Sequence, residues 1–503
     1  MRSKKAIYNI IGSLSLQIIT IAYGFIVPKI IIENFGSNVN GLVASVTQLL
    51  AYITLLESGF GPVVRSLLYK PIAKKNKHEI ENILKASEKF FRKIAYIFII
   101  YIIFLSLIYP LIVNKDFNYL FTISMIIIIS ISTFAEYFFG MTYRLYLKAE
   151  QQTYIISIIQ ILSYIISVIV IITLVKIGTN IQLIKLFSGL IFAMRPVFQN
   201  IYVKKKYKIN LKNASDDYKI KNKFDGLAQH IAAVVHDNTD ITILTIFRSL
   251  SEVSIYSIYS LVVKGIKSFL QSFSLGIESS FGDMLAKNEI ENLNKRFNMY
   301  EVLYLSIATI ICTTAMIIIT PFVSVYTRGI TDANYIRYTF GYLVVISELI
   351  NAMRDPYITL AYAAGHFKET RNGAWVEAIS NILISVLLVM KFGLIGVAIG
   401  TIVAMAIRTI EFIYHTNKYV LKRNINKSTA KIIVSIMEVT ITIIIVRFIP
   451  LLNNISYTSL IINAIIIFAL STLVVCIFNI IFYKKEYKEL IEILKNILKR
   501  KKA

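Results

Sequence analysis

The sequence predicts an all-α protein that crosses a membrane about fourteen times, as two similar six-helix lobes followed by two extra helices. Of the 503 residues, 56% are hydrophobic and only 17% are charged, which is too apolar for a soluble protein of this length. Apolar runs long enough to cross a hydrocarbon core of about 30 Å recur along the whole chain. A short sequence match also recurs at equivalent positions in the two halves.

The apolar runs are numbered here as spans one to fourteen in chain order. Their approximate bounds are 6–32, 39–68, 94–113, 119–142, 154–175, 181–203, 226–247, 254–283, 301–323, 336–362, 373–391, 394–417, 431–450 and 456–483. The segments 69–93, 204–225 and 484–503 hold eight Lys and Arg residues each, whereas the alternate connections hold few. The positive-inside rule therefore places both termini in the cytoplasm. Because the basic residues lie between apolar runs, the net charge of +25 predicts contact with anionic membrane lipids and not with nucleic acid.

The repeat consists of Glu79-Ile80-Glu81-Asn82 after span two and Glu289-Ile290-Glu291-Asn292 after span eight, each shortly after a Phe-Gly pair. Such a recurrence is expected if spans one to six and seven to twelve are parallel copies. The predicted organisation has five parts: an N-lobe at 1–203, a cytoplasmic linker at 204–225, a C-lobe at 226–417, spans thirteen and fourteen at 431–483, and a tail at 484–503. The tail has the spacing of an amphipathic helix on the membrane surface.

Span seven is unusually polar for a membrane helix. The stretch Asp225–Phe247 places His230, His236, Asp237 and Asp240 on one helical stripe. An ionised Asp at the bilayer centre costs about 2.5 to 3.5 kcal/mol, so the stripe is expected to face a water-filled cavity or partner charges. Coupling to an ion gradient needs a group whose charge differs between conformations. These four side chains are the candidates, the acids for Na⁺ and the histidines for H⁺.

Span eight carries Lys264, Lys267 and Gln271 on one helical face. Both lysines lie about 14 to 18 Å from the outer end of the helix, too deep to reach either interface comfortably. Ammonium groups at this depth suit the binding of a phosphate. They can equally neutralise Asp237 and Asp240 on the neighbouring span, and the sequence leaves both interpretations open.

Further polar side chains enter the membrane in spans one, two and ten. A bent or unwound helix is expected in span two, where Gly and Pro residues relax the backbone. In span ten a cavity role is as consistent with the pattern as a local ion pair. Lys29, Arg195 and Arg408 are expected to extend to the interface. The candidates for lining the cavity or contacting substrate are Gln17, Glu57, Arg65, Asn351, Arg354 and Asp355.

Several motifs spread over the whole chain resemble those of the Wzx-type polysaccharide flippases, whose superfamily also holds multidrug and toxin extruders and lipid II flippases. The motifs are Phe35-Gly36 with Asn40-Gly41-Leu42, Leu56-Glu57-Ser58-Gly59-Phe60-Gly61, Leu147-Lys148-Ala149-Glu150-Gln151, Asn238-Thr239-Asp240 with Val253–Tyr259, Glu377-Ala378-Ile379-Ser380-Asn381-Ile382, and Gly393–Thr401. These are diffuse family patterns and not a catalytic signature.

The resemblance implies a MATE-like fold in a bacterial cytoplasmic membrane, with two lobes around a cationic cavity and alternating access. It implies transfer of an undecaprenyl-diphosphate-linked oligosaccharide to the outer leaflet, coupling to an ion gradient, and work beside polysaccharide polymerase machinery. By position, Arg65, Lys264 and Lys267 match cavity cations, and spans thirteen and fourteen match a groove for the lipid tail. The resemblance also implies that a lipid II flippase would carry an arginine in the middle of span one. Span one of this chain has no such arginine, so a surface-polysaccharide precursor is favoured over lipid II as the substrate.

Two other functions are consistent with parts of the sequence. A MATE-like, cation-coupled drug antiporter would need an acidic, aromatic cavity, and the lysines of span eight argue against one. A membrane enzyme of glycan polymerisation or ligation would need a large external loop, but the external connections have at most about a dozen residues. His230 and His236 are six residues apart and do not form a helical zinc site. We therefore expect a transporter without a cofactor or metal other than the coupling ion.

Overall fold

The computed structural model of the protein describes residues 2–57, 59–211, 214–215, 218, 220, 227–274, 277–452, 456–489 and 492. Over these residues the regular secondary structure is entirely helical. The chain divides into two compact units, Met1–Ser257 and Ile258–Ala503. The five-part organisation predicted from the sequence stays a prediction.

The first unit contains nine helices and the beginning of a tenth among its described residues. They are α1 (Arg2–Phe35), α2 (Ser37–Ala51), α3 (Phe60–Ala73), α4 (Lys77–Ile112), α5 (Tyr119–Ala135), α6 (Met141–Ala149), α7 (Thr153–Lys176), α8 (Ile181–Tyr207), α9 (Leu227–Phe247) and α10 (Leu250–Ser274). Its buried core is built mainly from Leu, Ile, Val and Phe side chains of α2 to α8.

The second unit holds the remainder of α10 and seven more helices among its described residues. They are α11 (Ile277–Ala286), α12 (Ile290–Tyr326), α13 (Tyr338–Ala363), α14 (Arg371–Phe392), α15 (Leu394–His415), α16 (Asn426–Val446) and α17 (Tyr457–Phe482). Within this unit α14 packs along α15, and α12 packs against α13, α16 and α17.

The predicted all-α membrane fold is confirmed. In the described part of the chain, twelve helical stretches are long and apolar enough to cross a membrane. The other two predicted spans are also helices, α9 for span seven and α13 for span ten. Their buried polar side chains lower their hydropathy, although each has the length of a spanning helix.

Two predicted spans are interrupted in the described part of the chain. Span two is α2, a 3₁₀ segment over Tyr52–Glu57, and α3, with Gly59 at a φ of 81° before α3. The expected bend is therefore present. Span four breaks at a π-helical turn, Glu136–Gly140, between α5 and α6. Span eight corresponds to α10 and α11, and residues 275 and 276 between them lie outside the described part of the chain.

The structure also shows what the repeated tetrapeptide does. In each unit a short helix, α3 or α11, is joined by three residues to a long helix, α4 or α12, and the middle residue, Lys75 or Asn288, has a positive φ. The two tetrapeptides do not occupy equivalent positions relative to this shared turn. The first lies inside α4, whereas the second starts one residue before α12. The common element is the turn and not the tetrapeptide.

The first tetrapeptide, Glu79–Asn82, instead accepts hydrogen bonds from part of the predicted linker. Glu81 accepts a hydrogen bond from the Asn210 backbone N–H at 2.8 Å, and Asn82 accepts one from the Ser215 N–H at 2.7 Å. Half of the other linker residues lie outside the described part of the chain. In the tail, residues 484–489 are helical, and the rest of the predicted amphipathic helix, apart from residue 492, also lies outside it.

Candidate functional site

The first unit contains a polar cavity of about 480 Å³ inside its helix bundle. The 3₁₀ segment, the end of α5, the π-helical turn and α6 to α8 form its walls. The lining residues are Thr54, Glu57, Ser132, Thr133, Glu136, Tyr137, Met141, Arg144, Leu145, Lys148, Gln160, Phe192 and Arg195. Three of them are basic and two are acidic, so the cavity lining carries a net positive charge.

The acidic side chains of the cavity are both engaged. Arg144 forms an ion pair with Glu136 at 3.0 Å, and the Tyr137 hydroxyl donates a hydrogen bond to Glu57 at 3.1 Å. Lys148 lies one helical turn beyond Arg144 on α6, where their like charges repel. The cavity therefore combines compensated carboxylates with excess positive charge.

Arg195 is held by aromatic rings. Its guanidinium lies 3.9 Å from the ring centre of Phe192 and 4.4 Å from that of Tyr164. Two of its nitrogens, Nε and Nη2, are buried and have no hydrogen-bond partner in the described structure. The same holds for Nε of Arg144 and of Arg65. Because an unsatisfied buried donor is unfavourable by about 1 to 3 kcal/mol, these N–H groups favour an anionic acceptor.

A glycine sets the position of Arg195. A Cβ at Gly140, the last residue of the π-helical turn, would lie only 2.2 Å from the Pro196 Cβ on α8. The absent side chain lets α8 approach the turn closely and brings Arg195 to the cavity wall. The π-helical turn itself redirects Glu136 and Tyr137 relative to a regular helix, a feature common at functional sites.

Of the residues predicted from the sequence in this unit, Glu57 lines the cavity. Arg65 lies on α3, half-buried, and its charge acts on Lys148. Gln17 lies half-buried on α1, which packs along α7, and is not among the lining residues of this cavity.

Asp240 on α9 accepts a hydrogen bond from the Tyr256 hydroxyl at 2.7 Å, within the first unit. It is 7% exposed. The side chains of His230, His236 and Asp237 lie outside the described part of the structure. The predicted ion-coupling role of this group of four stays a prediction.

A different stripe of α9 forms hydrogen bonds with α2 and with the first residue of the 3₁₀ segment that follows α2. The Gln48 amide donates to Asn238, the Tyr52 hydroxyl lies 3.1 Å from that of Thr242, and Ser45 lies 2.7 Å from the Thr245 hydroxyl. The predicted stripe omitted these uncharged residues. Above them, a Cβ at Gly41 would lie 1.8 Å from the Leu250 carbonyl oxygen, which shows how closely α2 approaches the start of α10.

In the second unit, the predicted substrate residues on α10 are Lys264 and Gln271, which are exposed, and Lys267, which is half-buried. The Lys267 charge acts on the carboxyl groups of Glu348 and Asp355 on α13. The Tyr304 hydroxyl also donates a hydrogen bond to Asp355 at 2.5 Å.

Arg354 is part of a buried ionic network of α13, α14 and α15. Its Nη1 lies 2.6 Å from Glu377 and its Nη2 lies 2.7 Å from the Asn351 amide oxygen. Glu377 also faces Arg408 at 3.6 Å, and Arg408 pairs with Glu411 at 2.5 Å. Asn351 is therefore a partner of Arg354, and this arrangement is the local ion pair that the sequence left open.

One prediction about interfacial arginines is wrong, because Arg408 is only 2% exposed and pairs with Glu377 and Glu411. Arg195 is half-buried beside two aromatic rings, and Lys29 is partly exposed and lies 3.7 Å from Glu33. The interfacial positions of these two residues stay predictions. A further feature, the charged pair Arg144 and Lys148, was missed, although its i, i+4 spacing after Glu136 was visible in the sequence.

The helical architecture and the buried charges define a polytopic membrane protein with a polar cavity inside its first unit. Comparison with solved structures shows that this fold is similar to the folds of several known proteins. A lipid II flippase MurJ in an inward closed conformation matches with a TM-score of 0.68 and 14% identity, over 95% of this chain and 99% of that one.

A multidrug resistance MATE family transporter of the MOP superfamily, in an inward-facing conformation, matches with a TM-score of 0.64 and 13% identity, over 84% of this chain and 99% of that one. A MOP superfamily transporter from Pyrococcus furiosus, with a binding pocket of reversed polarity, has a TM-score of 0.53 and 12% identity, over 83% of this chain and 95% of that one. No protein-family model matches the chain, and no curated protein matches it. The resemblance inferred from the sequence is supported at the level of this shared fold.

Proposed function

We propose that the protein is a flippase that moves an undecaprenyl-diphosphate-linked oligosaccharide from the cytoplasmic to the outer leaflet of a bacterial cytoplasmic membrane, for surface polysaccharide synthesis. Both termini then lie in the cytoplasm, where the basic loops contact anionic lipids. Polysaccharide polymerase machinery is the expected consumer of the product. The shared fold with a lipid II flippase supports this class of substrate, but does not distinguish it from a drug.

The observation that carries the proposal is the set of buried guanidinium N–H groups around the cavity of the first unit. Arg195, Arg144 and Arg65 each present at least one such group without an acceptor in the described structure. Guanidinium binds phosphate oxygens through directed, charge-assisted hydrogen bonds. A diphosphate headgroup has the charge and the acceptors that these donors require, while its lipid tail can remain in the bilayer.

On α10, Lys264 and Lys267 provide additional cations for the substrate, and Gln271 provides a polar contact for the sugar. Arg354, which we predicted as a further substrate contact, has its charge compensated by Glu377, so we assign it a lesser share of binding. Asp237, Asp240, His230 and His236 remain the candidates for coupling to Na⁺ or H⁺. Alternating access then exposes the headgroup site to each side of the membrane in turn.

Binding by the purified protein tests the headgroup assignment. Native mass spectrometry with undecaprenyl diphosphate, undecaprenol and the lipophilic cation tetraphenylphosphonium compares an anionic, a neutral and a cationic ligand. We expect selective binding of the diphosphate, weakened about tenfold or more by Arg195→Gln, because charge-assisted hydrogen bonds are lost. Lys176→Gln is the matched control, since Lys176 is an exposed basic residue at the end of α7 in the same unit.

The main alternative is a MATE-like antiporter for a cationic drug, which the two carboxylates of the cavity, Glu57 and Glu136, favour. Binding of tetraphenylphosphonium in preference to undecaprenyl diphosphate would support it and contradict the flippase. A transport test separates the two as well. Lys264→Ala and Lys267→Ala are each expected to reduce export of lipid-linked oligosaccharide while membrane insertion is unchanged, and normal export by the double variant would contradict their role.

A further inference from the structure

A carboxyl group that the proposed transport cycle does not use lies in the middle of α16. Glu438 is 2% exposed. Its carboxyl group forms no ion pair or hydrogen bond with the described residues, and no basic side chain among them compensates it. Burial of an ionised carboxyl without a partner is strongly unfavourable, and such a group becomes neutral instead.

Glu301 provides the contrast in the same helix bundle. Its side chain on α12 is fully buried, like that of Glu438, but it accepts hydrogen bonds from Lys431 and from Arg423, the latter at 3.1 Å. The two cations keep this carboxylate charged. Lys431 and Glu438 lie seven residues apart on the same face of α16, about 10 Å along the axis, so Glu438 lies deeper in the membrane than the ionic cluster.

Buried hydroxyl groups without a described partner occur on α12 and directly after α17, the two helices that pack against α16. Tyr483, which follows α17, interacts electrostatically with Glu438, and its buried hydroxyl has no hydrogen-bond partner in the described structure. Thr309 on α12, two turns beyond Glu301, likewise has a buried hydroxyl without a described partner. Hydroxyl groups of this kind can relay a proton or hydrogen-bond to a neutral carboxylic acid.

The helices packed against α16 carry several charged and titratable groups: Glu291, Lys295, Arg296, Tyr300, Glu301, Tyr304, Cys312 and Tyr326 on α12, and Tyr457 and Cys476 on α17, which Tyr483 and Glu486 follow. On α16 itself they are Lys427 and Lys431, with Arg447 directly after its end, and Lys431 is the nearest of the three along the helix to Glu438. Lys431 is bound to Glu301, and the Cys476 thiol lies 3.5 Å from the Tyr487 hydroxyl. None of them provides Glu438 with a counter-charge.

We propose that Glu438 is a proton-binding site inside the membrane. It is neutral in this conformation and exchanges its proton past Tyr483 with the side of the membrane on which the basic loops lie. The second part of this inference rests on the proposed flippase function. In that function, the same site couples substrate movement to H⁺, separately from the polar stripe of α9.

Dicyclohexylcarbodiimide tests the site without any transport measurement. A protonated carboxylic acid transfers its proton to a carbodiimide nitrogen and adds through oxygen to the central carbon, and rearrangement gives a stable N-acylurea. Purified protein in liposomes is treated between pH 6 and pH 10, and the adduct at each carboxyl is measured by peptide mass spectrometry. Glu301 is the internal control for a buried but charged carboxylate.

We expect an adduct at Glu438 at pH 6, its decline by about tenfold per pH unit once the carboxyl ionises, and no adduct at Glu301. Glu438→Gln removes the adduct and Glu438→Asp retains it. The proton site is overturned if Glu438 is unmodified at pH 6, if Glu301 reacts equally, or if the yield is constant up to pH 10. Protection by Na⁺ but not by K⁺ would assign the carboxylate to sodium and also overturn it.

The coupling role is measured separately. In liposomes carrying a fluorescent short-chain lipid diphosphate, transfer between leaflets by the wild type should depend on an imposed pH gradient, and Glu438→Gln should lose that dependence. An unchanged dependence would overturn the coupling role while the labelling result still decides the proton site. If the wild type moves no lipid diphosphate, the proposed function fails, and the labelling again decides the proton site by itself.

Discussion

Replacing Glu301 with Gln is expected to destabilise the protein by about 3 to 5 kcal/mol, the usual effect of removing one member of a buried ionic cluster. Its carboxylate binds Lys431 and Arg423, the latter at 3.1 Å. It also accepts hydrogen bonds from the hydroxyls of Tyr357 at 2.5 Å and Ser428 at 2.7 Å. Both hydroxyls donate to the same oxygen, Oε1, so Gln preserves the size and this acceptor, but it leaves two buried cations without a counter-charge.

The other members of the cluster permit a thermodynamic cycle. Lys431→Met leaves Glu301 paired with Arg423, so we expect a smaller loss of about 1.5 to 3 kcal/mol, that of a hydrogen bond to a charged group. In the double variant Glu301→Gln, Lys431→Met, one buried cation is removed together with the anion. The two changes should therefore differ from additivity by about 0.5 to 3 kcal/mol.

The measurement is the free energy of unfolding in mixed micelles, from a reversible titration with sodium dodecyl sulfate followed by circular dichroism. Glu438→Gln is the matched control, because it makes the same substitution at an equally buried carboxyl without a cation, and its effect should stay below about 1 kcal/mol. A loss of less than 1 kcal/mol for Glu301→Gln, or additivity of the two variants within about 0.5 kcal/mol, would refute the ionic cluster as a source of stability.

Three further results are expected. Gly140→Val should cost about 1 to 3 kcal/mol in the same unfolding assay and weaken diphosphate binding, because its Cβ would displace α8. Gly41→Ala should destabilise by a similar amount, because its Cβ would meet the Leu250 carbonyl, whereas Gly265→Ala, with open space around it, should not. Tyr256→Phe removes a hydrogen bond to the α9 carboxylate and should shift the ion dependence of transport by about tenfold, whereas unchanged dependence would remove that carboxylate from coupling.

The all-α fold and the positions of the spans could be predicted because hydropathy is a local property, summed over about twenty residues of one helix. The break in span two was also predictable, since Gly59 directly marks a backbone position with a positive φ. The π-helical interruption of span four was missed. An apolar run keeps its hydropathy through a π-helical turn or a change of helix, so this property contains no signal for the interruption.

The cavity of the first unit was only partly predictable. Glu57 was recognised from its depth in span two, but the position of Arg195 depends on the approach of α8 to Gly140, which joins residues far apart in the chain. Sequence reasoning could have detected Arg144 and Lys148, four residues apart, with Glu136 eight residues before Arg144. It treated each basic residue separately and assigned Arg195 to the interface.

Arginines inside the described helices have two kinds of partner, carboxylates and aromatic rings. The two kinds differ in how many guanidinium N–H groups remain available to a ligand. Arg354 and Arg408 face carboxylates, so their charge and several of their N–H groups are already used by other side chains of the second unit. Arg195 faces the rings of Phe192 and Tyr164 instead. A ring face stabilises the cation electrostatically without accepting its in-plane N–H groups, and Nε and Nη2 of Arg195 have no acceptor in the described structure. An arginine held in this way is therefore positioned without being neutralised, which is the state that a reversible site for a diphosphate requires.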